Sequence, residues 1–136
     1  MSKKLTNDLI TLIFNIGQAL KEKVRTNNKD CSFLHLHTLH YIKEREGILM
    51  REVANYLHIT PPSATSLVNS LVKEGLVKRI VNVGDRRTVQ LRVTAAGTEL
   101  LKNSFKKTAD MMKKSLNKLS DKEKSNFIII LKKIFQ

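Results

Sequence analysis

The segment from Thr60 to Gly75, TPPSATSLVNSLVKEG, constrains the fold of this chain more than any other. Thr60 stands where a helix cap belongs, and Pro61 at the first helical position loses no intrahelical bond. Gly75 closes the helix after Glu74. At about 100° per residue, Ala64, Leu67, Val68, Leu71 and Val72 fall on one side of that helix. The other side carries Thr65, Ser66, Asn69, Ser70 and Lys73. A plain solvated face is usually filled with Glu and Lys, whereas Ser, Thr and Asn are poor helix formers that both donate and accept hydrogen bonds. Such a helix is suited to lie on a core by one face and read base edges in a major groove with the other.

The flanking segments supply the rest of a reading unit. Met50 to Leu57 predicts a short helix with Val53, Ala54 and Leu57 inward and Arg51, Glu52 and Asn55 outward, although no Ser, Thr, Asp or Asn stands at 48–50 to cap it. After Gly75, the run Val77 to Val83 predicts a strand. Val89, Leu91 and Val93 alternate with Thr88, Gln90, Arg92 and Thr94, the period of a half-buried partner. Gly84, Asp85, Arg86 and Arg87 form the connection, placing an arginine pair at a hairpin tip, where it can enter a narrow minor groove or fork onto phosphate. Two helices joined by a tight turn and followed by a hairpin make a winged helix-turn-helix. Ile48 and Leu49 have room only for a very short additional strand.

Charge agrees with a polyanionic partner but does not locate it. The chain of 136 residues carries 25 Lys and Arg against 12 Asp and Glu, a net charge of +13. That excess is spread over the whole length, so the case for DNA rests on the arrangement of residues. Arg51 and Lys73 on the two helices, with Ser63, Thr65, Ser66, Asn69 and Ser70, are the candidate contacts of the helical part. Asp85, Arg86 and Arg87 are those of the wing.

The remaining segments predict helices. Leu5, Leu9, Leu12, Ile13, Ile16, Leu20 and Val24 recur at helical spacing over 5–24, and RTNNKD at 25–30 has loop composition. Ser32 can cap a second helix carrying Leu36, Leu39 and Ile42 and ending by Gly47. Thr94 can cap a helix in which Gly97 allows close packing and Leu101, Phe105, Ala109, Met112, Leu116 and Leu119 form a seam. Ser120 and Glu123 make a capping box for a last helix containing Phe127, Ile128, Ile129, Ile130 and Leu131 in succession. Five consecutive apolar residues cover more than one face of a helix, and a chain this short has little with which to bury them. A second copy would solve the problem through a two-fold interface. The expected architecture is mainly α with a small β-hairpin wing: one domain over 1–136, with a winged helix-turn-helix at 31–97 and dimerisation helices at 1–30 and 98–136.

The chain resembles the MarR family of winged helix-turn-helix transcriptional regulators over essentially its whole length. The most specific match is DRRTVQLRVTAAG, Asp85 to Gly97, which looks like the family's wing and following helix. Val53, Ala54, Leu57, Ile59 and Thr60, and EGLVKR at 74–79, fit its helix-turn-helix. The resemblance implies a homodimer of triangular outline, with recognition helices in successive major grooves and wings on the flanking minor grooves. It implies that Ser63, Thr65, Ser66 and Asn69 face bases or nearby phosphates, that Arg86 and Arg87 serve the wing, and that Asp85 holds the wing arginine. Many relatives carry arginine where this chain has Ser66 and another basic residue where it has Ser70, so a bidentate guanine reader is missing. The resemblance also suggests a small aromatic or phenolic effector between the dimer helices and the reading unit, and basic walls there would favour an anionic one.

Cys31, His35, His37 and His40 lie close together and invite a metal or redox reading. Zinc-responsive relatives add ligands from the fifth helix, where this chain has Thr108, Ala109 and Met112, so no metal or other cofactor is expected. Cys31 is a candidate redox sensor if its thiolate is exposed, with Lys29 favouring ionisation and Asp30 opposing it. A lone cysteine precludes an intrachain disulfide and suits a reducing cytoplasm. No run approaches the length of a membrane span, and the N-terminus lacks the pattern of a signal peptide. Gly-rich phosphate loops, HExxH, G-x-S-x-G and acidic metal clusters are all missing, which argues against an enzyme. The expected function is a repressor acting as a homodimer on palindromic double-stranded DNA and relieved by an effector. The alternatives are a winged-helix protein-interaction module and a sequence-indifferent architectural DNA binder.

Overall fold

A computed structural model describes residues 1–27, 31–45, 47–85 and 87–136. In chain order the elements are α1 (Ser2–Asn27), α2 (Phe33–Glu44), β1 (Ile48–Leu49), α3 (Met50–Leu57), α4 (Pro61–Lys73), β2 (Val77–Val81), β3 (Val89–Val93), α5 (Ala95–Leu116) and α6 (Asp121–Phe135). The three strands form one antiparallel sheet in the order β1-β3-β2. Its register places Ile48 opposite Leu91 and Val77 opposite Val93.

Side-chain caps fix most helix starts. The hydroxyls of Ser32, Thr60, Thr94 and Ser120 accept from the N–H groups of His35, Ser63, Gly97 and Glu123 respectively. The start of α3, which has no capping residue before it, is satisfied from inside the helix: the Glu52 carboxylate accepts from the Leu49 N–H at 2.6 Å. Helix α1 runs further than its apolar spacing predicts, through Arg25, Thr26 and Asn27, so the loop expected from Arg25 onward begins later. Arg25 turns back to Glu22 at 2.6 Å, and this pair supports the extra turn. The rest of that expected loop, 28–30, lies outside the described residues.

The core sits beneath the reading unit. Leu39 and Ile42 of α2, Val53 of α3, Val68 and Leu71 of α4, Val77 of β2 and Leu91 of β3 are buried together with Ile48 and Leu76. Each large side chain so buried contributes about 1.5–3 kcal/mol. The apolar face of α4 is thereby committed to the core, which leaves its polar face outward.

A knot of backbone contacts joins the end of α4 to the start of α5. Thr94 donates its hydroxyl to the Gly75 carbonyl at 2.6 Å and its N–H to the Leu76 carbonyl at 3.0 Å. Gly97 packs so closely here that a Cβ on it would collide with the Leu76 carbonyl oxygen. The glycine therefore sets how α5 leaves the reading unit.

Two helices remain uncovered. Leu5, Leu9, Leu12, Ile13, Phe14 and Ile16 of α1 are exposed, and α6 buries none of its residues, with Phe127 to Leu131, Ile134 and Phe135 all exposed. No described helix is long and apolar enough to cross a membrane.

Candidate nucleic-acid interface

The turn between α3 and α4 is tight. His58 ends α3 in the left-handed region at φ 53°, and its N–H bonds the Asn55 carbonyl. Thr60, Pro61 and Pro62 then start α4 immediately. Arg51, Ser63, Thr65, Ser66, Asn69 and Lys73 all lie on this two-helix unit outside its buried core, as the helical spacing predicts. Ser70 departs from that prediction. It is half-buried, and its hydroxyl donates to Glu74 within the helix.

Exposure does not leave every polar group available. Thr65 donates its hydroxyl to the Pro61 carbonyl at 3.0 Å, one turn back. The Ser63 hydroxyl accepts from the Thr60 hydroxyl at 2.9 Å at the cap. Asn69 accepts at Oδ1 from the guanidinium of Arg79 on β2, which leaves its amide N–H groups to point outward. Among the described residues Ser66 and Lys73 make no side-chain hydrogen bond. The outward chemistry of α4 is thus narrower than its composition: a hydroxyl, an amide donor and an ammonium.

Arg79 is the residue that sequence reasoning missed. It lies in the EGLVKR segment, but nothing in strand alternation announces that its side chain spans from the wing to α4. A cleft of about 470 Å³ opens between α3, α4 and the wing, lined by Arg51, Thr65, Arg79, Arg87 and Thr88 among others. Three arginines from three elements therefore converge beside the polar face of α4.

In the wing, Asp85 acts on the backbone. Its carboxylate accepts from the Arg87 N–H at 3.0 Å and from the Thr88 hydroxyl at 2.9 Å, and Asn82 caps the Gly84 N–H at 3.1 Å. Among the described residues, Asp85 therefore folds the turn that presents Arg87 and makes no ion pair with the Arg87 guanidinium. This turn shortens the predicted strand, so β2 stops at Val81 and not at Val83. Arg86 lies outside the described residues.

The histidine and cysteine cluster does not assemble a metal site. Among the described residues no group of three or more His, Cys, Asp or Glu could hold an ion. His37 stacks between Phe33 and Tyr56, with ring centres 6.0 and 5.3 Å away, and His40 faces Glu44 at 3.7 Å. Cys31 is buried, and desolvation together with the charge of Glu74 pushes its thiol above the usual range. Both effects work against the exposed thiolate that a redox sensor needs. Lys29 and Asp30 lie outside the described residues.

A polar-faced second helix, a three-stranded sheet ending in an arginine-bearing wing, and a core shared by both define a winged helix-turn-helix, a DNA-binding class of fold. Residues 30–88 match the model of the MarR family. The HTH-type transcriptional regulator BilQ of Clostridioides difficile strain CD3 is 29% identical over 97 residues, 69% of this chain and 66% of that protein. Among solved structures, a MarR family protein from Bacillus stearothermophilus superposes with a TM-score of 0.89 at 22% identity, over 98% of this chain and 95% of the other. A point mutant of MepR from S. aureus, bound to an oligodeoxyribonucleotide, superposes at 0.71 with 23% identity, over 93% and 94%. The chain thus shares the winged helix-turn-helix fold of solved MarR family proteins, and its segment 30–88, which holds the reading unit, is similar to the MarR family model.

Proposed function

We propose that this protein is a cytoplasmic repressor that binds a palindromic operator as a homodimer and is released by a small anionic or phenolic effector. The observation that carries the reading is the polar face of α4, held outward by its buried apolar face and flanked by Arg51, Arg79 and Arg87. Ser66, Asn69 and Lys73 face the base edges, Ser63 and Thr65 stand nearest the phosphates, and half-buried Ser70 supports the helix from its side. Arg86 and Arg87 bring the wing to the minor groove, with Asp85 shaping its turn. The DNA-bound MepR mutant, whose fold this chain shares, supports DNA as the partner.

The exposed apolar faces of α1 and α6 support the two-fold dimer, because water-facing Leu, Ile and Phe in such numbers call for a covering surface. In this arrangement 31–97 reads DNA, while 1–30 and 98–136 tie two copies together. Half-sites then fall about 10 base pairs apart, roughly 34 Å. A second cleft, of about 460 Å³, lies between α1, α2 and α5, with Phe33, Phe105 and Leu101 as apolar walls, Lys43 and Lys102 as cations and Glu44, paired with His40, as its one carboxylate among the described residues. Its composition suits a planar anion or phenol, and its position between the dimer helices and the reading unit suits an effector.

The test is competition of fragments from the chain's own control region against bulk DNA. Selective binding is expected. Binding without selectivity would leave an architectural DNA binder, and no binding would leave a protein-interaction module.

A further inference from the structure

Strand β2 carries a second basic residue beside Arg79. Lys78 alternates with it, so its side chain leaves the ribbon on the other face, away from α4. Directly opposite Lys78 in the register is Arg92 of β3. Like charges placed opposite each other across a strand pair are destabilising. Lys43 and Arg45, at the end of α2, line the same cleft of about 250 Å³, over a floor of Ile42 and Val93. The negative end of the α2 dipole offsets part of the charge on Lys43 and Arg45, but among the described residues nothing comparable serves Lys78 and Arg92.

The cleft is organised as well as charged. Arg45 is held by its neighbours: its guanidinium lies 4.1 Å from the centre of the Tyr41 ring and 5.9 Å from that of Tyr56. Its N–H bonds the Ile42 carbonyl at 3.3 Å. None of the four cations forms an ion pair among the described residues, and the adjacent Glu44 is engaged by His40. Two guanidinium forks and two ammonium groups around one small cleft match the oxygens of a phosphate better than a single carboxylate.

We propose that this cleft behind the wing binds a phosphate oxyanion, supplied by the backbone of a duplex running past the wing or by a free phosphorylated small molecule. Bound phosphate neutralises the opposed Lys78 and Arg92, so binding and sheet stability are linked. The site reads no base. It is separate from the polar face of α4, and the free-phosphate form of the proposal does not depend on DNA binding.

The probe is inorganic pyrophosphate, titrated into the full chain at low salt by calorimetry and thermal unfolding. Wild type is expected to bind it and to unfold at a higher temperature in its presence. Lys78→Gln with Arg92→Gln should weaken that binding about tenfold or more, whereas the same charge removed by Lys118→Gln with Lys122→Gln should change it less than about twofold. In anion-free buffer the first pair should unfold no lower than wild type, because it relieves repulsion. A second arm compares a bound promoter fragment with the same fragment extended by about 10 base pairs on each side. If DNA supplies the phosphate, extension tightens binding in wild type and not in Lys78→Gln with Arg92→Gln. If a free phosphate is the ligand, pyrophosphate binds equally with either fragment present. Neither response in wild type, persistence in Lys78→Gln with Arg92→Gln, equal loss in the control pair, or a lower unfolding temperature of the first pair overturns the proposal. Pyrophosphate binding with no binding to any duplex would uphold this site and remove the operator-binding reading.

Discussion

Arg79 of the wing donates to the side-chain oxygen of Asn69 on α4, across a sequence separation of ten. The contact ties the strand that carries the wing to the helix that faces outward, and it decides which half of the Asn69 amide is presented. With the oxygen occupied, the amide offers donors, which suits acceptors on base edges such as guanine O6 and N7 or thymine O4.

Asn69→Ala and Arg79→Ala are therefore expected to shift base preference at the same operator position, each by about 1–3 kcal/mol of discrimination. Their effects should be non-additive, with a coupling of about 0.5–3 kcal/mol in a double-mutant cycle. Selection of binding sites from a randomised duplex pool provides the measurement. Independent, additive shifts at different positions would show that the contact does not set the readout.

Arg87 behaves differently because its role is electrostatic. Arg87→Ala, alone or with Arg86→Ala, should weaken binding to all sequences alike and reduce the slope of log affinity against log salt by about 1 per arginine. Asp85→Ala should mimic much of this loss despite removing a negative charge, because the carboxylate holds the Arg87 N–H and the Thr88 hydroxyl. Tighter binding by Asp85→Ala would mean that the turn matters less than the charge.

Gly97→Ala tests the junction of α4, β2 and α5. The added Cβ meets the Leu76 carbonyl oxygen, and that oxygen is already held by the Thr94 N–H at 3.0 Å. Overpacking against backbone costs about 1–3 kcal/mol, read as a lower urea midpoint. Gly17→Ala, with nothing within 4 Å of the added carbon, is the control and should not destabilise the chain.

If α6 builds the proposed two-fold interface, Ile129→Asp should convert the proposed dimer to monomers in sedimentation experiments while leaving helix content nearly unchanged, since this side chain is 64% exposed within the chain. Operator affinity should fall steeply with it. A dimer that persists in Ile129→Asp would move the interface away from α6.

Cys31 gives a pH prediction. Its folded-state ionisation is pushed above that of an unfolded cysteine, about 8.5, by burial and then by Glu74. Above that pH the unfolded chain releases a proton that the folded chain keeps, so stability is retained below it and declines as pH rises towards the folded value. Relative to Cys31→Ser, wild type should lose stability between neutral and alkaline pH. Thiol alkylation at pH 7 should be slow, and Cys31→Ser should leave any response to peroxide unchanged.

Much of this molecule is legible locally. The caps at Ser32, Thr60, Thr94 and Ser120 act within three residues, and the alternation of Val89, Leu91 and Val93 repeats every two, so the sequence itself places α2, α4, α5, α6 and the wing. The same periodicity separates the two faces of α4 and leaves α1 and α6 with apolar surface to cover. The tertiary structure decided which of those polar groups remain available. Asn69 meets Arg79, Cys31 meets the charge of Glu74, Glu52 caps α3 from inside it, and Lys78 and Arg92 gather with Lys43 and Arg45 only once the sheet and α2 are assembled. Helical and strand periods report which way a side chain points. What it finds there depends on segments distant in sequence, and their approach is set by the packing of Leu39, Val53, Leu71 and Leu91 in the shared core.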